Sequence, residues 1–390
     1  MTVGPREDLS ASAPLRVAID GLWLTKPRGL GRYVQELLFT LGQEGCAKRG
    51  FEVLVMAPGR SRPAAEALLS SLKDIRLVCG PSVPYPIWEQ VVFPWLCRRH
   101  SADVIHHPYN TVALLTGRTR AARVVTIHDT MFLDWRKGAN LYQRLGNLYR
   151  TVTTRMFRQT DRFVTISELS RCDIESRLGI RSVVIPNTSR LWLVRSQEQG
   201  PECGGVVQDI VGKDRPFFLH IGGVAPHKNT LRTVSAFLRA GQKGTKLVVI
   251  GMRREQFKEV GASSGVDVVI PGFLSDHALM CLMRSATGLI FPSLREGFGL
   301  PLIESMSVGL PVITSNRSPM REVADGAALL VDPESETEIA DAITRLVGDD
   351  ALRGGLAEKG RKRVVELNRE AGLDRWKRVY TKRQEGVGVV

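Results

Sequence analysis

Short runs of β-branched and apolar residues alternate along most of the chain with stretches whose apolar positions recur every three or four residues. The first kind predicts strands buried on both faces, and the second predicts amphipathic helices packed against them. In the first half the strand candidates are LRVAIDG, EVLVMAP, ADVIHHP, RVVTIHD, RFVTIS and SVVIPN; in the second they are PFFLHIGG, KLVVIG, VDVVIPG, GLIFPS, LPVITS and AALLVDP. Strands linked through helices in this way pair in parallel. Between the two series, NTSRLWLVRSQEQGPECGGVVQDIVGKDR has no clear period and is rich in Gly and polar residues, which predicts a domain boundary near 190–214. The expected plan is α/β: a polar tail over 1–15, a first doubly wound, Rossmann-like domain over 16–190, a linker over 191–214, a second such domain over 215–370, and a crossover helix returning to the first domain, with a tail, over 371–390. Two such domains in tandem predict a cleft at the carboxyl ends of the strands, where sheets of this type take their ligands.

Composition agrees with a globular enzyme of two or three domains: 390 residues, 43% apolar and 24% charged. The N-terminus, MTVGPREDLSASAPLR, lacks an apolar core and no run of about 18 apolar residues occurs, so neither a secretory signal nor a membrane span is expected. Six cysteines without a CxxC pair predict neither a disulfide framework nor a zinc site, and a reducing cytosol follows as the expected compartment.

Charge changes the picture more. The net +14 is uneven, with 28 Lys/Arg against 17 Asp/Glu in residues 1–200 (+11) and 26 against 23 in 201–390 (+3). A positive first half suits polyanions: nucleic acid, an anionic membrane surface or phosphorylated substrates. No nucleic-acid-reading motif accompanies it, and the charges are not interleaved with stacking aromatics, so a nucleic-acid partner is not expected. Between Asp134 and Asp161 there is no acid, while Arg136, Lys137, Arg144, Arg150, Arg155 and Arg158 share the stretch with Leu141, Leu145, Leu148, Val152 and Met156 at helical spacing. Residues 136–158 are either an ordinary surface helix of the first domain or a helix that docks on anionic lipid and reaches a lipid-linked acceptor.

Three segments carry candidate chemistry. In HIGGVAPHKNTLRTVSAF a strand runs into Gly222 and Gly223, then Lys228, then a helix that Thr230 could cap. Free N–H groups, a helix N-terminus and a lysine together suit an anion, although a plain strand-to-helix turn has the same outline. GLWLTKPRGLGRYVQELLFTLG repeats the theme with Gly29 and Gly31. In LREGFGLPLIESMSVGLPVI, Gly297 and Gly299 permit unusual φ, turning the N–H groups of Phe298, Gly299 and Leu300 toward a ligand. Pro301 and Gly309 bound a helix over 301–308, with Glu304 in its first turn and Glu296 on the loop before it. Two carboxylates beside N–H donors suit the hydroxyls of a polyol, each of which gives and receives a hydrogen bond.

FPSLREGFGLPLIESMSVGLPVITSNRSPMREVADGAALLVDP closely resembles the donor-binding signature of glycosyltransferase family 4, retaining enzymes of the GT-B architecture that use nucleotide sugars. WEQVVFPWLCRRHSADVIHHPYN follows the pattern of its bacterial polysaccharide and O-antigen mannosyltransferases, and the likeness runs from about residue 16 to 380. The resemblance implies that Glu296 and the amides after it hold the transferred sugar, and that Glu304 accepts the ribose hydroxyls. It further implies that Lys228 meets the leaving phosphates, that His128 lies beside the donor sugar, and that backbone around Phe273 and Leu274 holds the base. His128, Lys228 and Glu296 are thus the expected catalytic residues. Gly29, Gly31, Gly222, Gly223, Phe273, Leu274, Phe298, Gly299, Leu300 and Glu304 are the expected donor-binding set.

No Asp-x-Asp ends a strand and no metal-ligand cluster is evident, so no metal and no cofactor beyond the nucleotide sugar, GDP-mannose or a UDP-hexose, are expected. The expected acceptor is a glycan or a polyprenyl-pyrophosphate-linked one, met in the cytoplasm or at the inner membrane face. His227 stands where the subfamily often has Arg, so a second cation on the phosphates would come from Arg232 or Arg28. Thr188 replaces a common glycine and Arg321 a common proline. A sugar-nucleotide epimerase, or a basic polyanion-binding protein without catalysis, are the competing readings.

Overall fold

The computed structural model describes residues 13–381 apart from 27–28, 44, 114–120, 138–140, 158–160, 191, 193–202, 214 and 260–266. The described residues form two compact units, 13–126 with 132–163 and 376–381, and 127–131 with 164–375. Each contains parallel strands connected through helices.

The first sheet holds β1 (Leu15–Asp20), β2 (Phe51–Pro58), β3 (Ile75–Gly80), β4 (Val104–His107), β5 (Ala122–Ile127), β6 (Arg162–Thr165) and β7 (Val183–Val184), in the order β3-β2-β1-β4-β5-β6-β7. All the first-half strand candidates form. Strand β3, IRLVCG, is not among those candidates: among the described residues it pairs on one side only, with β2, and its residues are mostly half-exposed, so it lacks the continuous apolar run of an interior strand. The helices of this half are α1 (Leu30–Gln43), α2 (Arg62–Leu69), α3 (Phe93–Arg99), α4 (Leu141–Thr154) and α5 (Glu168–Leu178), with a π-helical turn, Trp88–Val92, leading into α3.

In the second unit, β8 (Phe217–Ile221), β9 (Lys246–Ile250), β10 (Val268–Gly272), β11 (Gly288–Phe291), β12 (Val312–Ser315) and β13 (Leu329–Val331) lie in the order β10-β9-β8-β11-β12-β13. The order reverses direction between β8 and β11, the position where loops on either side diverge and leave a crevice. Its helices are α6 (Cys203–Val211), α7 (Thr230–Ala240), α8 (Arg254–Glu259), α9 (Asp276–Ser285), α10 (Leu300–Ser307), α11 (Met320–Ala324), α12 (Glu336–Gly348) and α13 (Asp350–Glu370). Phe218, Phe237, Leu247, Ile290, Ile313 and Ile343 are among the side chains of one buried cluster that joins the sheet to its helices. Each such side chain contributes about 1.5–3 kcal/mol on burial.

Helix α14 (Leu373–Thr381) closes the described chain, and its Trp376 and Tyr380 are buried in the first unit. The Tyr380 hydroxyl lies 3.0 Å from His106 Nδ1, and Arg162 Nη1 donates to the carbonyls of Val379 and Tyr380 at 2.7 and 2.6 Å. No helix among the described residues is long and apolar enough to cross a membrane.

The absence of disulfides expected from cysteine spacing is corrected: Cys203 of α6 and Cys281 of α9 are bonded, with Cα atoms 5.0 Å apart. The partners are separated by 78 residues, so no local motif announced them, and only helix packing brings them together. The same contact explains why 203–211 is helical within a stretch whose sequence shows no clear period. Its half-buried face packs on α9, and Val211 is buried.

Candidate functional site

The second unit's switch point brings together the Gly222–Gly223 loop, Lys228 and Glu296. Strand β8 ends in Gly222 and Gly223, and β11 ends in the loop that carries Glu296. Because each strand is followed by a helix returning along the sheet, α7 and α10 both begin at this carboxyl edge and present their positive ends to it.

Asn229 sets the geometry of the first loop. It sits at φ 58° before α7, a left-handed conformation that asparagine tolerates better than most residues. Its Nδ2 donates to the carbonyls of Pro292 (2.9 Å) and Pro333 (2.6 Å), tying together the loops after β8, β11 and β13. Its Oδ1 accepts from Arg232 Nη1 at 2.7 Å. Arg232 is therefore engaged in holding the loop, and Arg28 lies outside the described residues. Thr230, expected as the cap, is the first residue of the helix instead. Its Oγ1 accepts from the Gly223 N–H at 3.2 Å and lies 3.1 Å from His220 Nε2.

His220 was not singled out from sequence, since a histidine inside PFFLHIGG reads as one polar residue in a strand. It is fully buried, and burial pushes its pKa down to about 4, with Lys228 adding to the effect. The imidazole is therefore neutral at pH 7. Nδ1 lies 2.8 Å from the Ile290 carbonyl, which can only accept, so the proton is on Nδ1 and Nε2 accepts from Thr230. A chain of hydrogen bonds thus runs from the Gly223 amide through Thr230 and His220 to β11. Gly222 has no room for a side chain beside it: a Cβ there would lie 2.5 Å from Thr230 Oγ1 and 2.7 Å from His220 Nε2.

Lys228 Nζ reaches Glu296 Oε1 at 2.8 Å and stands 5.6 Å from the centre of the Phe291 ring. Two of the three expected catalytic residues are thereby in direct contact. Neighbouring His227 is half-buried, and burial followed by the charge of Lys228 holds its pKa below the usual histidine value. Its carbonyl accepts from Leu294 N–H at 2.8 Å, which fastens the lysine loop to the Glu296 loop.

Beyond Glu296 the backbone departs from expectation in detail. Gly299 has φ 97°, but Gly297 does not take a positive φ. Its smallness serves close approach, because a Cβ there would lie 3.2 Å from the His128 carbonyl oxygen. Ser167 Oγ donates to the Gly297 carbonyl and Ser170 Oγ to that of His128, both at 2.8 Å, so His128, almost fully buried, is fixed beside the glutamate loop. Helix α10 starts at Leu300, with Pro301 in its first turn and Gly309 at φ 78° after its end. Glu304 is correspondingly the fifth helical residue, past the first turn, so the helix dipole explains less of its placement than expected. Glu304 is buried, whereas Phe298 is a core side chain that offers only its backbone.

Phe273 and Leu274 follow Gly272 at the end of β10, and Phe273 is 62% exposed. Gly29, at φ 58°, and Gly31 belong to the first unit; a Cβ on Gly31 would lie 2.1 Å from the Lys26 carbonyl oxygen, so that turn requires glycine. A cavity of about 510 Å³ lined by Pro216, Thr245, Thr287, Pro311 and Arg353 opens at the amino ends of the second sheet's strands, the edge opposite the glycine loop.

Residues 27–188 match Glycosyltransferase Family 4, and residues 208–363 match Glycosyl transferases group 1. The MMP alpha-(1->4)-mannosyltransferase of Mycolicibacterium hassiacum is 36% identical over 293 residues, covering 69% of this chain and 68% of that protein. The chain belongs to this glycosyltransferase family. The O-antigen chain mannosyltransferase B of Escherichia coli is 28% identical to this glycosyltransferase over 224 residues, covering 53% of the chain and 57% of that relative's length. A solved glycosyltransferase from Rickettsia africae superposes with TM-score 0.67 at 15% identity, covering 95% of this chain and all of that one, and shares its GT-B fold.

Proposed function

We propose that this glycosyltransferase moves a hexose, mannose from GDP-mannose, to a glycan or lipid-linked acceptor in bacterial cell-surface polysaccharide synthesis, with retention and without a metal. The observation that carries the proposal is the meeting of Lys228 and Glu296 at 2.8 Å on the switch-point edge where α7 and α10 begin. Mannosyl donors are favoured because relatives similar to the chain are named as mannosyltransferases.

In this reading the donor's diphosphate sits on the Gly222–Gly223 loop and takes Lys228 as its counterion, displacing part of the bond to Glu296. Glu296 turns its freed acceptor capacity to the sugar hydroxyls, and Glu304 receives those of the ribose. As the glycosyl–oxygen bond breaks, charge builds on the leaving phosphate. Lys228 and the two helix ends stabilise it there, and one such preorganised contact is worth about 3–4 kcal/mol. The acceptor hydroxyl enters on the face the phosphate leaves, and a phosphate oxygen takes its proton. Glu296 orients the sugar and forms no bond to it. Neutral His227 leaves Lys228 as the cation of that loop, and His128 borders the sugar.

Thermal unfolding with GDP, UDP and ADP tests the reading, since a nucleotide at 100 times its dissociation constant adds about 2.7 kcal/mol. GDP should stabilise most, and Lys228→Ala should abolish the shift. A larger shift with UDP would move the donor to a UDP-hexose. No shift with any nucleotide, or an unchanged one in Lys228→Ala, overturns the proposal, as does conversion of the donor without acceptor in an NMR incubation.

A further inference from the structure

The first unit carries two exposed apolar rows on adjacent helical segments. On the segment leading through the π-turn into α3, Ile87, Val91 and Trp95 are 48%, 53% and 50% exposed. On α4, Leu141, Leu145 and Val152 are 71%, 56% and 43% exposed, although a helix of this amphipathic pattern ordinarily turns such residues inward. The two segments are keyed side by side by Tyr149 of α4. Its hydroxyl donates to buried Glu89, it accepts from Gln90 Nε2 at 2.8 Å, and its ring lies 5.5 Å from that of Tyr85.

The exposed charge carried by the two segments themselves has one sign. Arg98 and Arg99 are exposed at the end of α3, with the Arg99 guanidinium 5.6 Å from the centre of the Trp95 ring, and Arg144 and Arg155 are exposed on and just after α4. No acid occurs from 135 to 160, and Glu89 is buried and hydrogen-bonded. Exposed aliphatic side chains with a tryptophan, beside exposed arginines on the same segments, match the interface of an anionic bilayer, which takes apolar side chains at its boundary and arginines at its headgroups. A protein partner of ordinary composition would call for acids as well as bases on them.

We propose that the Ile87–Trp95 row and the α4 row form one lipid-docking face, held in register by Tyr149 on Glu89 and Gln90, that seats the enzyme on an anionic membrane with Trp95 at the interface. The inference rests on the reading above only for its purpose, access to a lipid-linked acceptor. Vesicle binding is read without donor or acceptor, so the two can fail separately.

The test uses the full chain with phosphatidylglycerol–phosphatidylcholine vesicles and with phosphatidylcholine alone. Co-sedimentation should require the anionic lipid and weaken with salt. The fluorescence difference between wild type and Trp95→Phe isolates Trp95, and this difference should shift to the blue and be quenched by brominated lipid. Leu145→Ser and Val91→Ser should each lower partitioning about ten-fold, with an unchanged cooperative thermal unfolding transition, read without nucleotide, as proof of folding. Indifference to anionic lipid overturns the proposal, as does binding that leaves Trp95 unquenched. Light scattering that shows a dimer converted to monomer by Leu145→Ser, with vesicles unbound, assigns the face to a second copy and overturns it equally.

Discussion

His220 gives the sharpest test of how the donor loop is built. The folded protein holds its imidazole neutral down to about pH 4, against an ordinary value of 6.5. The unfolded chain therefore binds the proton first as pH falls. The stability contributed by neutral His220 is complete above 6.5 and is lost as pH drops toward 4; at ~1.36 kcal/mol per pKa unit the loss is about 3 kcal/mol. Asp20 works in the opposite sense in the same window, because burial raises its pKa to about 7, so the folded form takes up that proton first and gains stability on acidification. Total stability against pH thus mixes the two, and a difference measurement separates them. In His220→Asn the amide can still donate toward the Ile290 carbonyl but has no proton to gain. Urea unfolding of both proteins from pH 7 to 4, with hydrogen exchange in β8 and β11 as the local probe, should show the wild type losing its advantage over the variant by about 3 kcal/mol. Nucleotide affinity of the wild type should fall over the same range, since a protonated Nε2 can no longer accept from Thr230. A stability gap that stays constant with pH would refute a buried, neutral His220.

Other consequences can be checked more briefly. Asn229→Ala should destabilise the second unit by about 2–4 kcal/mol, because two buried carbonyls lose their donor; Asn229→Gly, which tolerates the φ of 58°, should not restore it, and calorimetry of the pair distinguishes amide from backbone. Gly222→Ala should weaken nucleotide binding at least ten-fold by titration calorimetry while the fold survives, as its Cβ would press on Thr230 and His220 where the loop must stay shaped. Reduction of Cys203–Cys281 should lower unfolding stability by about 4.5 kcal/mol, the loop-closure term for 78 residues, and Cys203→Ser should make stability insensitive to reductant.

What the sequence determined by itself is local and periodic. The interior strands were legible because parallel strands covered on both faces must be apolar throughout, and Gly299, Pro301 and Gly309 marked the start and stop of α10 because backbone geometry restricts which residues fit there. The glutamate pair and Lys228 were legible through the family likeness of their motifs. The edge strand β3 was not, because half-exposed residues do not write a buried pattern. His220 and Asn229 were visible as letters but not as a device, since their partners at Ile290, Pro292 and Pro333 lie 60 or more positions away and meet them only once the sheet is assembled. The disulfide between α6 and α9 and the joining of α4 to the π-turn through Tyr149 belong to the same class. Hydrophobic period fixes which face of an element is buried. Which buried faces meet, and therefore which polar groups complete one another, is decided only when the elements pack.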